Sequence, residues 1–298
     1  MAAMPAASST PRSDATAIRR AAFVGVGVMG EALIRGLLAQ QRLRPQAVVA
    51  SHPREARRQE LRERYGITVE AHNRAAVEGA DLAVLCVKPQ VAPRVLRELA
   101  GALAPHAFLL SIAAGVPLEV LAAASGQRAV VRAMPNTPAQ IGEGMTVWTA
   151  TPEVTPEQRA QVRTLLGALG QELEVADEDY LDMATAVSGT GPTYVFLLME
   201  ALVDAAVHLG FSRTDARRLV VQTLRGAALF AEQSHLHPAE LRNMVTSPGG
   251  TSAAALYQLE KGGLRTVISK AIWAAYQRSA AMGRAARAAL TGESADPA

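Results

Sequence analysis

The sequence predicts an α/β fold in which a doubly wound sheet domain precedes an all-helical domain. Short apolar segments of strand length alternate with helical patterns up to about residue 178, which is typical of a parallel sheet covered by helices on both faces. Beyond that residue the strand signals stop, and helical patterns rich in Ala, Leu and Val follow. We therefore predict a disordered tail at residues 1–17, a sheet domain at 18–178 and a helical domain at 179–298.

The sheet domain is predicted to alternate buried strands with helices along the chain. The predicted strands are 21–27, 47–51, 82–87, 108–112, 129–133, 145–150 and 172–176, and the predicted helices are 31–40, 54–65, 91–99, 118–124 and 156–169. The strands are rich in Val, Ile and Leu, as expected for strands that are buried on both faces of a sheet.

The helical domain opens with a helix at residues 194–209 that is apolar almost all round, as expected for an element buried on every side. In so small a domain, such a helix suggests that a second subunit helps to cover it. Ser212 and Asp215 form a capping-box-like start for a helix that ends near Glu232. Further helices are predicted at 238–245, 253–259 and 265–289.

The composition excludes several classes of function. The chain is 49% hydrophobic, which indicates a folded globular protein, and its net charge of +3 comes from scattered arginines, so we expect no nucleic-acid partner. The apolar run at residues 194–199 is too short to span a bilayer, and residues 1–17 lack the apolar core of a signal peptide, so we expect no membrane partner. The single cysteine, Cys86, fits a reducing compartment, and we expect a cytoplasmic protein.

A G-x-G-x-x-G pattern lies between the first predicted strand and the first predicted helix. In this context the first glycine permits a tight turn, the second lets a pyrophosphate approach the backbone, and the third allows close packing of helix against strand. The pattern predicts a Rossmann-type dinucleotide site and the alternative is an ordinary glycine-rich turn. The predicted cofactor-binding residues here are Gly25, Val26, Gly27, Val28, Met29 and Gly30.

The end of the second predicted strand favours NADPH, with NADH as the alternative. An enzyme that prefers NAD usually places a carboxylate there, whereas this chain has Ser51 and Arg54, with Arg57 and Arg58 one turn later. We predict that Ser51 and Arg54 bind the cofactor. Arg57 and Arg58 are alternatively solvated residues of a helix face, and for Arg58 we favour that interpretation.

Three later strand ends, at residues 86–89, 111–115 and 132–138, are predicted to line the nicotinamide side, because ligands of an open α/β sheet bind beyond the carboxyl ends of its strands. Lys88 is either a phosphate or substrate ligand or a simple strand-end charge, and both interpretations stay open. Cys86 is interpreted as a core residue rather than a nucleophile. The predicted cofactor-binding residues at these strand ends are Val87, Lys88, Pro89, Ala113 and Ala114.

A glycine-rich loop at residues 247–252 interrupts the helical domain. Its two adjacent glycines allow successive N–H groups to point into one hollow that suits a small carboxylate, and its hydroxyls add uncharged donors and acceptors. The alternative is a plain turn in which Thr251 or Ser252 caps the helix at 253–259. His235 and His237 have no third ligand nearby, so we predict no metal site.

The motifs of residues 25–30, 87–89, 111–116, 132–139, 188–196 and 247–252 occur in an order that closely resembles the pyrroline-5-carboxylate reductase family. The resemblance covers nearly everything from residue 18 to the mid-280s. It implies a Rossmann domain followed by a helical dimerisation domain, and reduction of 1-pyrroline-5-carboxylate to L-proline by NAD(P)H, usually NADPH. It further implies dimers or rings of dimers in which two subunits build each active site.

The same resemblance implies roles for individual residues. Asn73 would contact the adenosine side of the cofactor, and Ser252 would be the catalytic hydroxyl near the ring nitrogen of the substrate. The residues implied to bind the substrate are Glu178, Ser247, Gly249, Gly250, Thr251 and Ser252.

The chain departs from the family pattern at four positions: Val28, Thr190, Thr193 and His235. Two other functions remain as alternatives. A hydroxyacid dehydrogenase of similar architecture would use a lysine, for which the helical domain offers only Lys261 and Lys270. A non-catalytic NADPH-binding sensor would be expected to have a degraded substrate loop.

Overall fold

The computed structural model of the chain describes residues 18–291, so the predicted tail at residues 1–17 lies outside the described part. The chain divides into two compact units. The first ends at Asp182 and also includes residues 281–291, and we call it the sheet unit. The second is Met183–Ala280, which we call the helical unit.

The sheet unit is built on one eight-stranded sheet with the order β3-β2-β1-β4-β5-β6-β7-β8. The first six strands run parallel in the doubly wound order 3-2-1-4-5-6. The strands are β1 Ala21–Val24, β2 Val48–Ser51, β3 Thr68–Glu70, β4 Leu82–Leu85, β5 Phe108–Ser111, β6 Val130–Met134, β7 Gly144–Ala150 and β8 Gly170–Glu174.

The predicted parallel arrangement holds for the first six strands, but β7 runs antiparallel to β6, while β8 runs parallel to β7. The cause is the connection between β6 and β7, which holds one short 3-10 turn, Thr137–Ile141, and no crossover helix. Parallel neighbours need such a crossover, whereas antiparallel neighbours do not.

Each of the first seven helices follows a strand along the chain. They are α1 Val28–Ala39, α2 Glu55–Tyr65, α3 Asn73–Val77, α4 Ala92–Leu99, α5 Leu118–Ser125 and α6 Pro156–Gly167, and α7 Asp179–Ala184 leads out of the unit. The first helix begins at Val28 and not at residue 31, so it includes the second half of the glycine motif. The sequence prediction missed β3 and α3, which are too short to show a period.

Two apolar clusters lie on the two faces of the sheet, as predicted for a doubly covered sheet. Phe23 and Trp148 belong to one cluster, and Val24 and Leu85 belong to the other. Successive strand residues such as Phe23 and Val24 point to opposite faces, so one strand contributes to both clusters.

The helical unit consists of helices alone within the described residues. They are α8 Gly191–His208, α9 Arg213–Ser234, α10 Pro238–Met244, α11 Thr251–Lys261 and most of α12 Leu264–Thr291, and a π-helical turn, Thr185–Gly189, precedes α8. The predicted cap of α9 is confirmed, because the Ser212 hydroxyl accepts a hydrogen bond from the Asp215 N–H.

The first long helix, which we expect a second subunit to help cover, is exposed in the single chain. No residue of α8 is buried, and Phe196 and Leu197 are 58% and 66% exposed. By length and composition alone, the continuous stretch Asp179–His208 is apolar enough to cross a membrane, a test that the core helix of a soluble protein also passes. A large apolar surface of this kind marks an interaction site.

Candidate functional site

The turn after β1 has a conformation that requires glycine at its first position. Gly25 adopts φ +76°, and a Cβ built there would overlap Val87 Cγ1. Its N–H donates to the Ser51 carbonyl at 3.1 Å and lies 3.3 Å from the Ser51 hydroxyl oxygen. The turn therefore joins the ends of β1 and β2.

Of the other two glycines, Gly27 leaves room for a ligand and Gly30 allows close packing of helix against strand. Gly27 is the N-cap of α1 and faces open space, with no atom within 4 Å of a Cβ built there. No side chain caps this end of α1, so its first N–H groups are available to an anion. At Gly30 a Cβ would lie 2.9 Å from Cys86, so only glycine lets α1 approach β4. These features fit a dinucleotide pyrophosphate.

The remaining motif residues differ in what they can offer a cofactor. Val26 is completely buried, so only its backbone can face a ligand, whereas Val28 is exposed in the first turn of α1 and Met29 is half-buried. Burial raises the pKa of the Cys86 thiol, which agrees with the interpretation of Cys86 as a core residue.

Of the three arginines that follow β2, two are occupied by other partners. Arg57 forms ion pairs with Glu31 and Glu60. Arg58 donates to the carbonyls of residues 52 and 53 at 2.9 and 2.8 Å and pairs with Glu55, so the interpretation of Arg58 as a solvated residue is wrong. Arg58 is held by the loop that follows β2 and therefore does not extend into solvent. Arg54 is exposed at the start of α2 and stays a predicted cofactor ligand.

The ion pairs around Glu31 hold this corner of the sheet unit in place. Burial alone would raise the pKa of Glu31, but hydrogen bonds from Arg57, Tyr65 and Arg64 outweigh it and lower the pKa to about 2. Glu31 therefore stays ionised and keeps Arg57 beside α1.

A cleft of about 610 Å³ opens beside the glycine turn, on the side where the adenosine part of a cofactor is expected. Its lining includes Gly25, Val87 and the predicted ligand Asn73. It also includes Arg94, Arg97 and Glu98 of α4, which sequence reasoning missed because a polar helix face carries no sign of a distant ligand. The Ser51 side chain is buried, and its hydroxyl donates to Asn73 Oδ1 at 2.8 Å.

The predicted nicotinamide side lies at the carboxyl ends of β4 and β5. Val87 and Pro89 are half-buried and Lys88 is exposed, which leaves both interpretations of Lys88 open. Ala113 is buried, and its N–H donates to the Ser111 hydroxyl at 3.2 Å. Ala114 is half-buried beside it, so small residues flank this strand end.

Glu178 occupies a buried ion-pair network. The Arg132 side chain is 5% exposed and donates to Glu178 at 2.7 Å and to Asp182 at 2.9 Å. Glu178 also accepts from the backbone N–H of Leu118 at 2.8 Å. In this structure Glu178 ties the chain before α7 to β6 and α5, and its predicted role in substrate binding stays a prediction.

The loop at residues 247–252 ends at a helix whose first turn carries two hydroxyls. Gly249 adopts φ +72°, which favours glycine, and a Cβ on Gly250 would lie 2.5 Å from the Ser247 hydroxyl oxygen, which would then have to move. Gly250 is the N-cap of α11, which begins at Thr251. The alternative in which Thr251 or Ser252 caps the helix is therefore wrong, since both residues lie inside the first turn with exposed side chains.

This arrangement presents donors that suit a small anion. The N–H groups of Thr251, Ser252 and Ala253 have no acceptor within their own helix, because the first turn of any α-helix leaves its N–H groups unpaired. The exposed hydroxyls of Ser247, Thr251 and Ser252 lie on the same segment. The loop can therefore bind a carboxylate without a charged side chain.

The two histidines of the H-x-H pair are parts of helix ends. His235 ends α9 with φ +55°, and His237 is the N-cap of α10, where its Nδ1 accepts from the Ala239 N–H at 3.2 Å. Among residues 18–291, no group of three or more His, Cys, Asp or Glu side chains could hold a metal ion.

Comparison with known proteins finds relatives that cover most of the chain. The pyrroline-5-carboxylate reductase dimerisation family matches residues 178–282, and the family described as NADP oxidoreductase coenzyme F420-dependent matches residues 20–115. The dimerisation match means that the chain self-associates.

Individual relatives agree with these matches. The chain is 45% identical to a pyrroline-5-carboxylate reductase of Pseudomonas aeruginosa, over 88% of this chain and 96% of the relative. It is 41% identical to that of Synechocystis, over 88% and 97%. The crystal structure of Plasmodium falciparum pyrroline carboxylate reductase with NADP bound superimposes with a TM-score of 0.81 at 31% identity, over 89% of this chain and 98% of that one. The resemblance and the predicted fold class are confirmed, and the chain belongs to the pyrroline-5-carboxylate reductase family.

Proposed function

We propose that this protein catalyses the reduction of the cyclic imine 1-pyrroline-5-carboxylate to L-proline with NADPH as the preferred cofactor. The observation that carries the proposal is the substrate loop: α11 is capped by Gly250, so the hydroxyls of Thr251 and Ser252 and the helix N–H groups remain available to a carboxylate. The family membership and the glycine turn after β1 support the same activity.

The cofactor site is proposed in the sheet unit. Backbone N–H groups at the start of α1, next to Gly27, would hold the pyrophosphate, and Arg54 would attract the 2′-phosphate. Asn73 would bind the adenosine side, while Val87, Lys88, Pro89, Ala113 and Ala114 would line the nicotinamide side. When bound, the reduced nicotinamide supplies a hydride.

The substrate site is proposed on the loop of the helical unit. The N–H groups around Gly249 and Gly250, together with the Ser247 and Thr251 hydroxyls, would bind the substrate carboxylate and fix the orientation of the ring. Ser252 would place its hydroxyl against the ring nitrogen and donate a hydrogen bond or a proton as charge moves to that nitrogen. Glu178 is a further candidate for substrate binding.

The assembly and the domain boundaries are also proposals. We place the boundary between residues 178 and 179 and expect two chains to contribute to each active site, in a dimer or a ring of dimers. The exposed apolar residues of α8 support this arrangement, because pairing of two helical units would cover them. We place the protein in the cytoplasm.

The test is to mix purified protein with NADPH and 1-pyrroline-5-carboxylate and to follow the loss of absorbance of the reduced cofactor. We expect turnover, faster at low cofactor concentration with NADPH than with NADH. Turnover of hydroxyacids without imine reduction would identify a dehydrogenase. Tight NADPH binding without imine reduction would identify a sensor.

A further inference from the structure

Three polar side chains from three different elements are joined by hydrogen bonds, and two of them, Asn73 and Glu98, line the cleft of the sheet unit. Ser51 ends β2, Asn73 begins α3 and Glu98 lies near the end of α4. The Ser51 hydroxyl lies 2.8 Å from Asn73 Oδ1, and Asn73 Nδ2 lies 2.7 Å from Glu98 Oε2. This series of hydrogen bonds begins at Gly25, whose N–H donates to the Ser51 hydroxyl oxygen at 3.3 Å.

The direction of each hydrogen bond in this chain is set by chemistry. The Gly25 N–H can only donate, so the Ser51 hydroxyl accepts it and has its own proton free to donate to Asn73 Oδ1. The Glu98 carboxylate can only accept when ionised, so it receives an N–H from Asn73 Nδ2. The hydrogen bond from Ser51 and the hydrogen bond to Glu98 together fix the orientation of the Asn73 amide.

Glu98 decides this orientation more strongly than Ser51 does. A serine hydroxyl can accept as well as donate, so Ser51 alone would tolerate either orientation of the amide. A flipped amide would place Asn73 Oδ1 against the Glu98 carboxylate, where two acceptors repel each other. Glu98 is held in turn, because Arg74 donates to its carbonyl oxygen at 3.1 Å and Arg94 Nε lies 3.6 Å from its carboxylate.

We propose that Glu98 is a positioning residue for the cofactor: it fixes the Asn73 amide so that the second N–H of Nδ2 is presented to an acceptor atom of the adenosine part. Asn73 lines the cleft and is half-buried, and each N–H of its amide can serve one acceptor. The proposal rests on the proposed function, since it assumes that the cleft takes the nucleotide. Neither the sequence motifs nor the glycine turn points to Glu98.

The test measures NADPH binding to the cofactor-free protein through the change in NADPH fluorescence, which requires no turnover. We expect Glu98→Ala to weaken the Kd for NADPH about fivefold, the contribution of one ordinary hydrogen bond, because the Asn73 amide would then be free to flip away from the cofactor. Glu98→Gln keeps an acceptor oxygen for Asn73, so its Kd should stay within about twofold of the parent value. The matched control is Glu153→Ala, which removes the same charge from another arginine-paired glutamate. Glu153 does not line the cleft, so its replacement should not change the Kd.

A double variant separates positioning from a direct contact or a general loss of structure. If Glu98 acts through Asn73, then Glu98→Ala should cost no further affinity in an Asn73→Ala background. The Tm of Glu98→Ala without NADPH should equal that of the parent protein. An unchanged Kd in Glu98→Ala, an equal loss in Glu98→Gln, or additive losses in the double variant would overturn the proposal.

If the parent protein reduces the imine while Glu98→Ala binds NADPH normally, only this inference fails. If the parent protein binds no NADPH, both the inference and the proposed function fail.

Discussion

The two units of the chain differ in how much of their apolar surface they bury. The sheet unit buries its large apolar residues on both faces of the sheet, and its Trp148 has no exposed surface. The helical unit leaves Trp273 60% exposed and buries no residue of α8. The sheet unit can thus form its core from one chain, whereas the helical unit needs a second surface, which agrees with its match to a dimerisation family.

The largest effect is expected where this difference is greatest, on the exposed face of α8. Phe196→Glu should abolish self-association and lower imine reduction at least tenfold, because a charge would have to be buried in an apolar contact. Light scattering coupled to size-exclusion chromatography measures the mass. The matched control is Leu173→Glu, on an exposed position of β8 in the sheet unit, which should leave the mass unchanged. A Phe196→Glu protein of parental mass would contradict the comparison.

The second largest effect is expected within the sheet unit, on replacement of Arg132. Replacing Arg132 by Met should lower the free energy of unfolding of that unit by about 4 kcal/mol, because Glu178 and Asp182 would lose the cation between them. The measurement is urea unfolding followed by Trp148 fluorescence in a Trp273→Phe background, since each unit holds one of the two tryptophans.

The control for Arg132 is Arg128→Met, because Arg128 is 84% exposed and pairs only with the surface residue Glu153 among its contacts in the described chain. We expect little change in this variant. Equal losses in the two variants would mean that burial of the Arg132 pair has no special effect on the sheet unit.

A smaller effect is expected from pH at the corner between α1 and α2. The pKa of Glu31 is lowered to about 2 in the folded chain from an ordinary value near 4.5, so its contribution to stability is complete above pH 4.5 and is lost as the pH falls toward 2. The shift corresponds to about 3 kcal/mol. Glu31→Gln should therefore flatten the loss of stability between pH 5 and 2, as followed by Trp148 fluorescence.

Glu63→Gln provides the control for Glu31, since Glu63 lies on the outer side of α2 and contacts Gln59. Its stability profile should follow the parent profile across the same pH range. A parental profile in Glu31→Gln would show that the ion pairs with Arg57 and Arg64 do not couple to folding.

The features predictable from sequence were those set by local chemistry. Gly25, Gly27 and Gly30 have conformations and neighbours that their spacing implied, because a tight turn and a close helix approach each require a residue without a Cβ. The alternation of apolar segments and helices likewise predicted the sheet unit, since each buried strand must be covered on both faces.

The features that could not be predicted depend on contacts between distant segments. The role of Arg58 follows from carbonyls of the strand-end loop, and the position of Glu98 beside Asn73 follows from the packing of α4 against α3. The N-cap at Gly250 depends on where the backbone first becomes helical, which Thr251 and Ser252 obscured because hydroxyl residues commonly cap helices.

The central claim is that the sheet unit binds the cofactor while the loop of the helical unit acts on the substrate. The most direct measurement is the kcat for imine reduction and the Kd for NADPH of Ser252→Ala, with Ser252→Thr as the variant that retains a hydroxyl. We predict that Ser252→Ala lowers kcat at least tenfold and leaves the Kd within about twofold, while Ser252→Thr keeps most of the activity. Unchanged kinetics in Ser252→Ala, or a loss of NADPH binding as large as the loss of kcat, would contradict the account.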